Sequence, residues 1–156
     1  MATPQSSIPV SPLTFDVQAM PVLPVQITSG AVTLSTPTTA AYLTGASLTF
    51  TIPSVASYVA VFLNGKDATV SAAATITTGL YLGASAGTLT TLVGDSVVVA
   101  PTGGTTVAVN SVFWIPVTNA TAGTTVTVSV GITASSGNYV LNNGATEPTT
   151  LAALIF

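Results

Sequence analysis

Thr124-Thr125-Val126-Thr127-Val128-Ser129-Val130-Gly131-Ile132-Thr133 decides the fold. Its apolar members, Val126, Val128, Val130 and Ile132, fall at every second position, with Thr and Ser filling most of the places between them. A period of two belongs to a β-strand, whose successive side chains point to opposite faces. One face of this strand is therefore apolar and the other carries hydroxyls. A helix would need apolar residues three and four apart between recognisable caps, and no stretch of the chain sustains that pattern.

The alternation recurs on both sides of this strand. Toward the C-terminus, Ala134 to Pro148 reads as loop, with Gly137-Asn138 and Asn142-Asn143-Gly144, and Leu151 to Phe156 closes the chain as a short apolar strand. Toward the N-terminus, Thr105 to Val117 reads as one long strand after the turn Pro101-Thr102-Gly103-Gly104, with Trp114, the single Trp, expected as a core anchor. Asp95 to Ala100 is apolar enough to be buried on both faces. Thr88 to Val93 and Leu80-Tyr81-Leu82 are shorter strands, and Ala68 to Thr77 is another, weakened by Ala72-Ala73-Ala74. Ser57 to Leu63 runs into Asn64-Gly65, a strong hairpin signal because both positions accept positive φ. Ser47 to Ile52 is a clean strand ended by Pro53. Gln26-Ile27-Thr28 and Ala31 to Ser35 form the first strand region, with Ser29-Gly30 as a bulge or turn between them. About eight to ten short strands with frequent turn signals predict an all-β domain over 25–156, an antiparallel β-sandwich or jelly roll.

Residues 1–24 differ from the rest. Five of the ten prolines lie there, Pro4, Pro9, Pro12, Pro21 and Pro24. Proline removes backbone donors and holds the preceding residue extended, so this segment forms neither a helix nor a central strand. It nevertheless carries Ile8, Val10, Leu13, Phe15, Val17, Met20, Val22 and Leu23. A solvated linker is not this apolar. The expectation is an extended N-terminal arm whose apolar side chains lie along a neighbouring surface and serve assembly. Folding back onto its own domain is the alternative.

Composition narrows the function. The 156 residues include one Lys or Arg, four Asp or Glu, no His and no Cys. Acid–base, nucleophilic and metal chemistry draw heavily on those side chains, and so does nucleic-acid binding. Charged residues make up 3% of the chain, against roughly 25% in an ordinary domain. Burying Ser or Thr costs far less than burying an ion, so a hydroxyl-rich surface tolerates close packing. The surface reads as one packed against copies of itself or a host assembly. Mean hydropathy is +0.75, but the apolar runs are short and fall below the ~20 residues of a spanning helix. A membrane β-barrel needs aromatic girdles, and five Phe, four Tyr and one Trp are few for that. Met1 to Val10 has no basic segment followed by a continuous apolar one, so no secretory signal is expected and synthesis in the cytoplasm is.

The candidate chemistry is sparse. Lys66-Asp67 after Asn64-Gly65 reads as a solvated hairpin tip. Asp16, Asp67, Asp95 and Glu147 include no spacing that pairs two carboxylates for glycoside hydrolysis. Asp95 or Glu147 with Asn142 and Asn143 supplies oxygen ligands of the kind calcium takes, but without an EF-hand loop no metal site is assigned. Asn119-Ala120-Thr121 fits a glycosylation pattern that a Thr-rich chain meets by chance. Gly103-Gly104 and Gly83-Ala84-Ser85-Ala86-Gly87 are turns, since neither precedes a helix or a basic residue. No catalytic, cofactor-binding or metal-binding residue is expected, and neither nucleic acid nor membrane is an expected partner.

A Pro-rich apolar arm followed by a Thr/Val/Gly-rich β-domain without Cys or His resembles the small virion proteins of bacteriophages. Capsid decoration or cement proteins are the nearest class, with head-fibre proteins beside them. The resemblance is one of layout and composition, and no motif carries a functional residue across. It implies a homotrimer on the capsid surface, bound to a viral major capsid protein, with arms reaching across neighbouring subunits. It also implies synthesis in the host cytoplasm and location on the virion. The near absence of basic residues points to docking by apolar and backbone contacts. A second reading is a subunit of an extracellular filament or surface layer, assembled by strand addition. A third, a carbohydrate-binding module, wants aromatics in a row, and Tyr42, Tyr58, Tyr81 and Tyr139 are scattered.

Overall fold

The computed structural model of the chain describes residues 20–27, 31–118, 122–143 and 148–156. The alternating stretches become strands: β1 (Met20–Ile27), β2 (Val32–Leu34), β3 (Ala41–Thr51), β4 (Tyr58–Val70), β5 (Ala74–Gly83), β6 (Thr91–Ala100), β7 (Thr105–Pro116), β8 (Thr125–Ala134), β9 (Tyr139–Asn142) and β10 (Thr149–Ile155). Among the described residues there is no helix. All strand pairs are antiparallel, in a six-stranded and a four-stranded sheet. The smaller one, sheet B, runs β3-β8-β5-β6. In the larger one, sheet A, β7 lines one side of β4, and β10 and β9 share the other side, with β1 outside β10 and β2 outside β9.

The core lies between the sheets. Val128, Val130 and Ile132 of β8 face it with Leu48, Phe50, Ile76 and Leu80, as the decisive stretch predicts. Sheet A contributes Val59, Val61, Leu63, Phe113, Ile115, Leu151 and Ile155. Burying each such side chain is worth about 1.5–3 kcal/mol over leaving it in water. Tyr139 is the largest fully buried side chain, and burial pushes its phenol well above the ordinary tyrosine range.

Five local expectations need correction. Asn64-Gly65 is not a hairpin but lies inside β4, where the register against β7 shifts between Gly65 and Ala68. The core-facing residues change phase there, from Val59, Val61 and Leu63 to Ala68 and Val70. An inserted residue is what a phase change requires, and a β-bulge supplies it. Glycine is needed because a Cβ at Gly65 would stand 2.6 Å from Thr149 Oγ1. A similar shift in β3, between Tyr42 and Ser47, brings Ala46 and Leu48 to the core after Leu43, with Gly45 at φ +87°.

Second, Ala68 to Thr77 is not one strand, because the chain bends at Ser71 to Ala73 and passes from sheet A to sheet B. Third, the segment expected to be loop from Ala134 contains β9, which fills the side of β4 that β10 leaves open. Fourth, Asp95 to Ala100 is not buried on both faces. It belongs to β6, which pairs with β5 alone, and Val97 and Val99 are 57% and 65% exposed. Fifth, the first strand begins at Met20 rather than near Val25, so Met20 and Val22 of the expected arm pair with β10 in the domain's own sheet, and Leu23 lies in β1 where the register shifts between Val22 and Val25. Pro21 and Pro24 are tolerated because β1 is an edge strand. Ile8, Val10, Leu13, Phe15 and Val17 lie outside the described residues.

Candidate assembly surface

The outer face of sheet A follows from the register of β4. Its core side takes Val59, Val61 and Leu63, so Tyr58, Ala60, Phe62 and Asn64 point outward. The β7 residues opposite them are Pro116, Trp114, Val112 and Asn110. Leu154 and Ala152 of β10 stand opposite Ala60 and Phe62, and Pro21 of β1 opposite Leu154. One end of this face is apolar and aromatic; Asn64 and Asn110 mark where it turns polar. Phe156 is held at the apolar end by its amide, which donates to the Tyr58 carbonyl at 2.9 Å, and by its carbonyl, which accepts from Ser57 N at 2.6 Å. Its ring lies 6.1 Å from that of Trp114, tilted by 34°.

Trp114, expected as a core anchor, is instead 58% exposed on this face. Tyr58 and Val112 are also about half exposed, while Ala60 between them is fully buried by its larger neighbours. The alternation of β7 explains the correction: Phe113 and Ile115 take the core side, leaving the even positions outside. Between β4 and β7 a shallow depression of about 330 Å³ is lined by Phe62, Asn64, Asn110 and Val112 among others. No described side chain on the apolar end carries a charge. A contiguous exposed apolar face of this kind marks a place where another surface docks.

Sheet B presents the opposite chemistry. The outward Thr and Ser of β3 and β8 meet in register, with Thr49 and Thr127 hydroxyls 2.9 Å apart, Thr51 and Thr125 also 2.9 Å apart, and Ser47 bonded to Ser129. The β5–β6 connection, residues 84–90, folds over the end of this ladder. Gly87 N donates to Ser129 Oγ at 3.0 Å and to Ser47 Oγ at 3.2 Å. Gly87 sits at φ +81°, and a Cβ there would meet the Tyr42 ring at 3.0 Å. Tyr81 and Leu89 lie over Gly131, close enough that a Cβ on it would stand 2.8 Å from each. The Ser47–Ser129 end of this face is thus closed by its own chain, while Thr49, Thr51 and Thr125 stay exposed and Val97 and Val99 stand open on β6.

The ionisable residues form no catalytic arrangement among those described. Asp67, expected at a hairpin tip, accepts from Asn142 Nδ2 at 2.7 Å, and the same amide donates to Thr69 Oγ1 at 2.9 Å. Thr149 Oγ1 donates to Asn143 Oδ1 at 2.5 Å, completing a polar seam where β4 changes partner from β10 to β9. Asp95 stands on the other sheet, opposite Gly79. The structure does not bring it together with Asn142 and Asn143. Asp16, Glu147 and Asn119-Ala120-Thr121 lie outside the described residues. Among the described residues no three of His, Cys, Asp and Glu are grouped to hold a metal ion.

No protein-family model matches the chain, and no curated protein is similar to it. Among solved structures it is similar to a chain in the structure of infectious bursal disease virus Gx strain, with 15% identity and a TM-score of 0.28. The match covers 88% of this chain and 38% of that one, so the chain spans well under half the length of that viral chain. A likeness at this level carries no argument about function.

Proposed function

We propose that the chain is a non-enzymatic structural subunit that assembles with copies of itself, and that it serves as a capsid decoration or cement protein of a phage-type virion. The observation that carries this reading is the uncovered aromatic end of sheet A, Tyr58, Val112, Trp114 and Phe156, on a chain with only one basic residue. Stable burial of such a face needs a macromolecular surface of matching apolar character. The proposed partners are further copies, as a homotrimer, and a viral major capsid protein, with no role for nucleic acid, membrane or cofactor. The apolar side chains Ile8, Val10, Leu13, Phe15 and Val17 would add holding energy, roughly 1.5–3 kcal/mol for each one buried, less the ~1–2 kcal/mol needed to fix each backbone residue. Prolines lower that ordering cost by restricting the free chain.

A second reading has its own support. β6 pairs with β5 alone, and its exposed Val97 and Val99 stand on an edge with little charge to guard it. Natural sheets protect such edges, since an open edge templates strand addition by another chain. Head-to-tail addition there gives a filament or surface layer rather than a closed ring. Negative-stain electron microscopy of the purified full chain, with native mass on the same sample, separates the two. A discrete trimer supports the decoration reading. Filaments of uniform width shift it to a polymer-forming subunit, and a monomer at all concentrations refutes both.

A further inference from the structure

We infer that the segment 8–17 of one copy docks on the outer face of sheet A of a second copy, over Trp114, Tyr58, Val112 and Phe156. This rests on the assembly reading above and names the acceptor surface within it.

Three observations carry the inference. The first is chemical match. Residues 1–19 hold Ile8, Val10, Leu13, Phe15 and Val17 with a single charge, Asp16, and the face offers exposed aromatic and aliphatic side chains of similar character. Pro4, Pro9 and Pro12 withhold backbone donors, which suits docking by side chains on a face better than laddering along an edge.

The second is position and reach. The chain enters sheet A at Met20, opposite Ile155, which stands opposite Val59, itself opposite Ile115. The segment therefore leaves the subunit at the same end of the sheet as Tyr58, Trp114 and Phe156. Nineteen extended residues reach roughly 60 Å, far beyond the ~14 Å that three strand spacings take up between β1 and β7. Length limits neither a neighbour nor the parent subunit as acceptor.

The third is direction, and it chooses the neighbour. Followed backward from Ile27 to Met20, β1 points out past the end of the sheet that carries Phe156. To cover its own sheet face the chain would have to reverse at once. Leu13-Thr14-Phe15-Asp16-Val17-Gln18-Ala19 contains no Gly, Pro or Asn, and Asp16 is its one residue that favours a turn. An extended exit would carry these side chains away from the parent subunit and onto another copy.

Trp114 is the single tryptophan, so its fluorescence reports the occupancy of this face without any label. The experiment follows emission maximum, acrylamide quenching and native mass of the full chain through a dilution series, and repeats it on the double variant Leu13→Ser, Phe15→Ser. The expected result is an oligomer with blue-shifted, quencher-protected emission that turns red-shifted and quenchable as the mass falls. The variant is expected to be monomeric and quenchable at every concentration, with unchanged β-sheet circular dichroism. An oligomer whose tryptophan stays quenchable overturns this inference and leaves the assembly reading standing. A monomer with quenchable tryptophan removes the assembly reading itself. A monomer with protected tryptophan means that the segment covers its own subunit, and a protected oligomer formed by the variant means that two sheet faces pack directly. Either of these overturns the inference, as does a variant that loses its circular dichroism, because the segment would then belong to its own core.

Discussion

The apolar end of sheet A's outer face and the β3–β8 ladder on sheet B's outer face are built from the same alternation and end in opposite states. On sheet B the outward residues of β3 and β8 are hydroxyls that bond one another across the strands, and residues 84–90 fold back to close the end of the ladder. On sheet A the outward residues of β4 and β7 are aromatic and aliphatic, and Trp114 and Tyr58 remain more than half exposed. Hydroxyls satisfy one another in pairs, so a polar face can be completed within one subunit. Apolar side chains gain only by losing water, and among the described residues no element covers the apolar end of sheet A. The difference separates a hydroxyl ladder whose polar groups are satisfied within the fold from an apolar end that the described residues leave uncovered, a state that Val97 and Val99 of β6 share.

Three groups of substitutions probe that contrast. Gly83→Ala has the largest expected effect on stability, because a Cβ there falls on the backbone carbonyl of Thr88 and lifts the connection off sheet B. The loss expected in urea unfolding is about 1–3 kcal/mol, the usual range for overpacking. An unchanged midpoint would mean that residues 84–90 do not close this face.

Ser129→Ala comes next. Ser129 is fully buried and bonds both Ser47 and Gly87 N, so its loss is expected to cost about 1 kcal/mol. Gly87 N keeps Ser47 as a partner, which limits the effect.

Smallest in stability are Thr51→Val on sheet B and Val112→Thr on sheet A, each expected within about 0.5 kcal/mol because both positions are exposed. They are near-isosteric exchanges of the two faces' chemistry. Val112→Thr is expected to weaken self-association in analytical ultracentrifugation, and Thr51→Val to leave it unchanged. Equal effects of the two would erase the distinction between the faces.

Much of this was legible in the sequence, and the exceptions share a cause. Periodicity says which residues lie on one face but not which face receives a neighbour. The stretch 124–133 named its core side correctly because the opposite residues are hydroxyls. Tyr58 to Leu63 is apolar at every position, so the pattern marks two apolar faces without saying that only one meets the other sheet. That doubly apolar run was the available signal for the candidate surface. Trp114 misled for the same reason, since a large aromatic is drawn to a core or an interface alike. Val97-Val98-Val99 imitates a central strand, and its edge position is a property of topology alone. Asn64-Gly65 carries hairpin chemistry, but the burial of Ala68 and Val70 holds the chain in β4 and turns the glycine into a packing requirement. β9 was hidden because four residues among Gly and Asn are too few to show a period. Of the assembly residues named from sequence, Met20, Val22 and Leu23 lie in β1.

The pairing of β1 with β10 alone has a consequence for biosynthesis. The first described strand stays without a partner while the ribosome makes residues 28–148, because its ladder among the described residues waits for Thr149 to Ile155. Contacts so distant in sequence make for slow closure. The backbone bonds that seat Phe156 beside Tyr58 form only after the same strand is made. The apolar face is therefore incomplete on a nascent chain until Thr149 to Phe156 have been made.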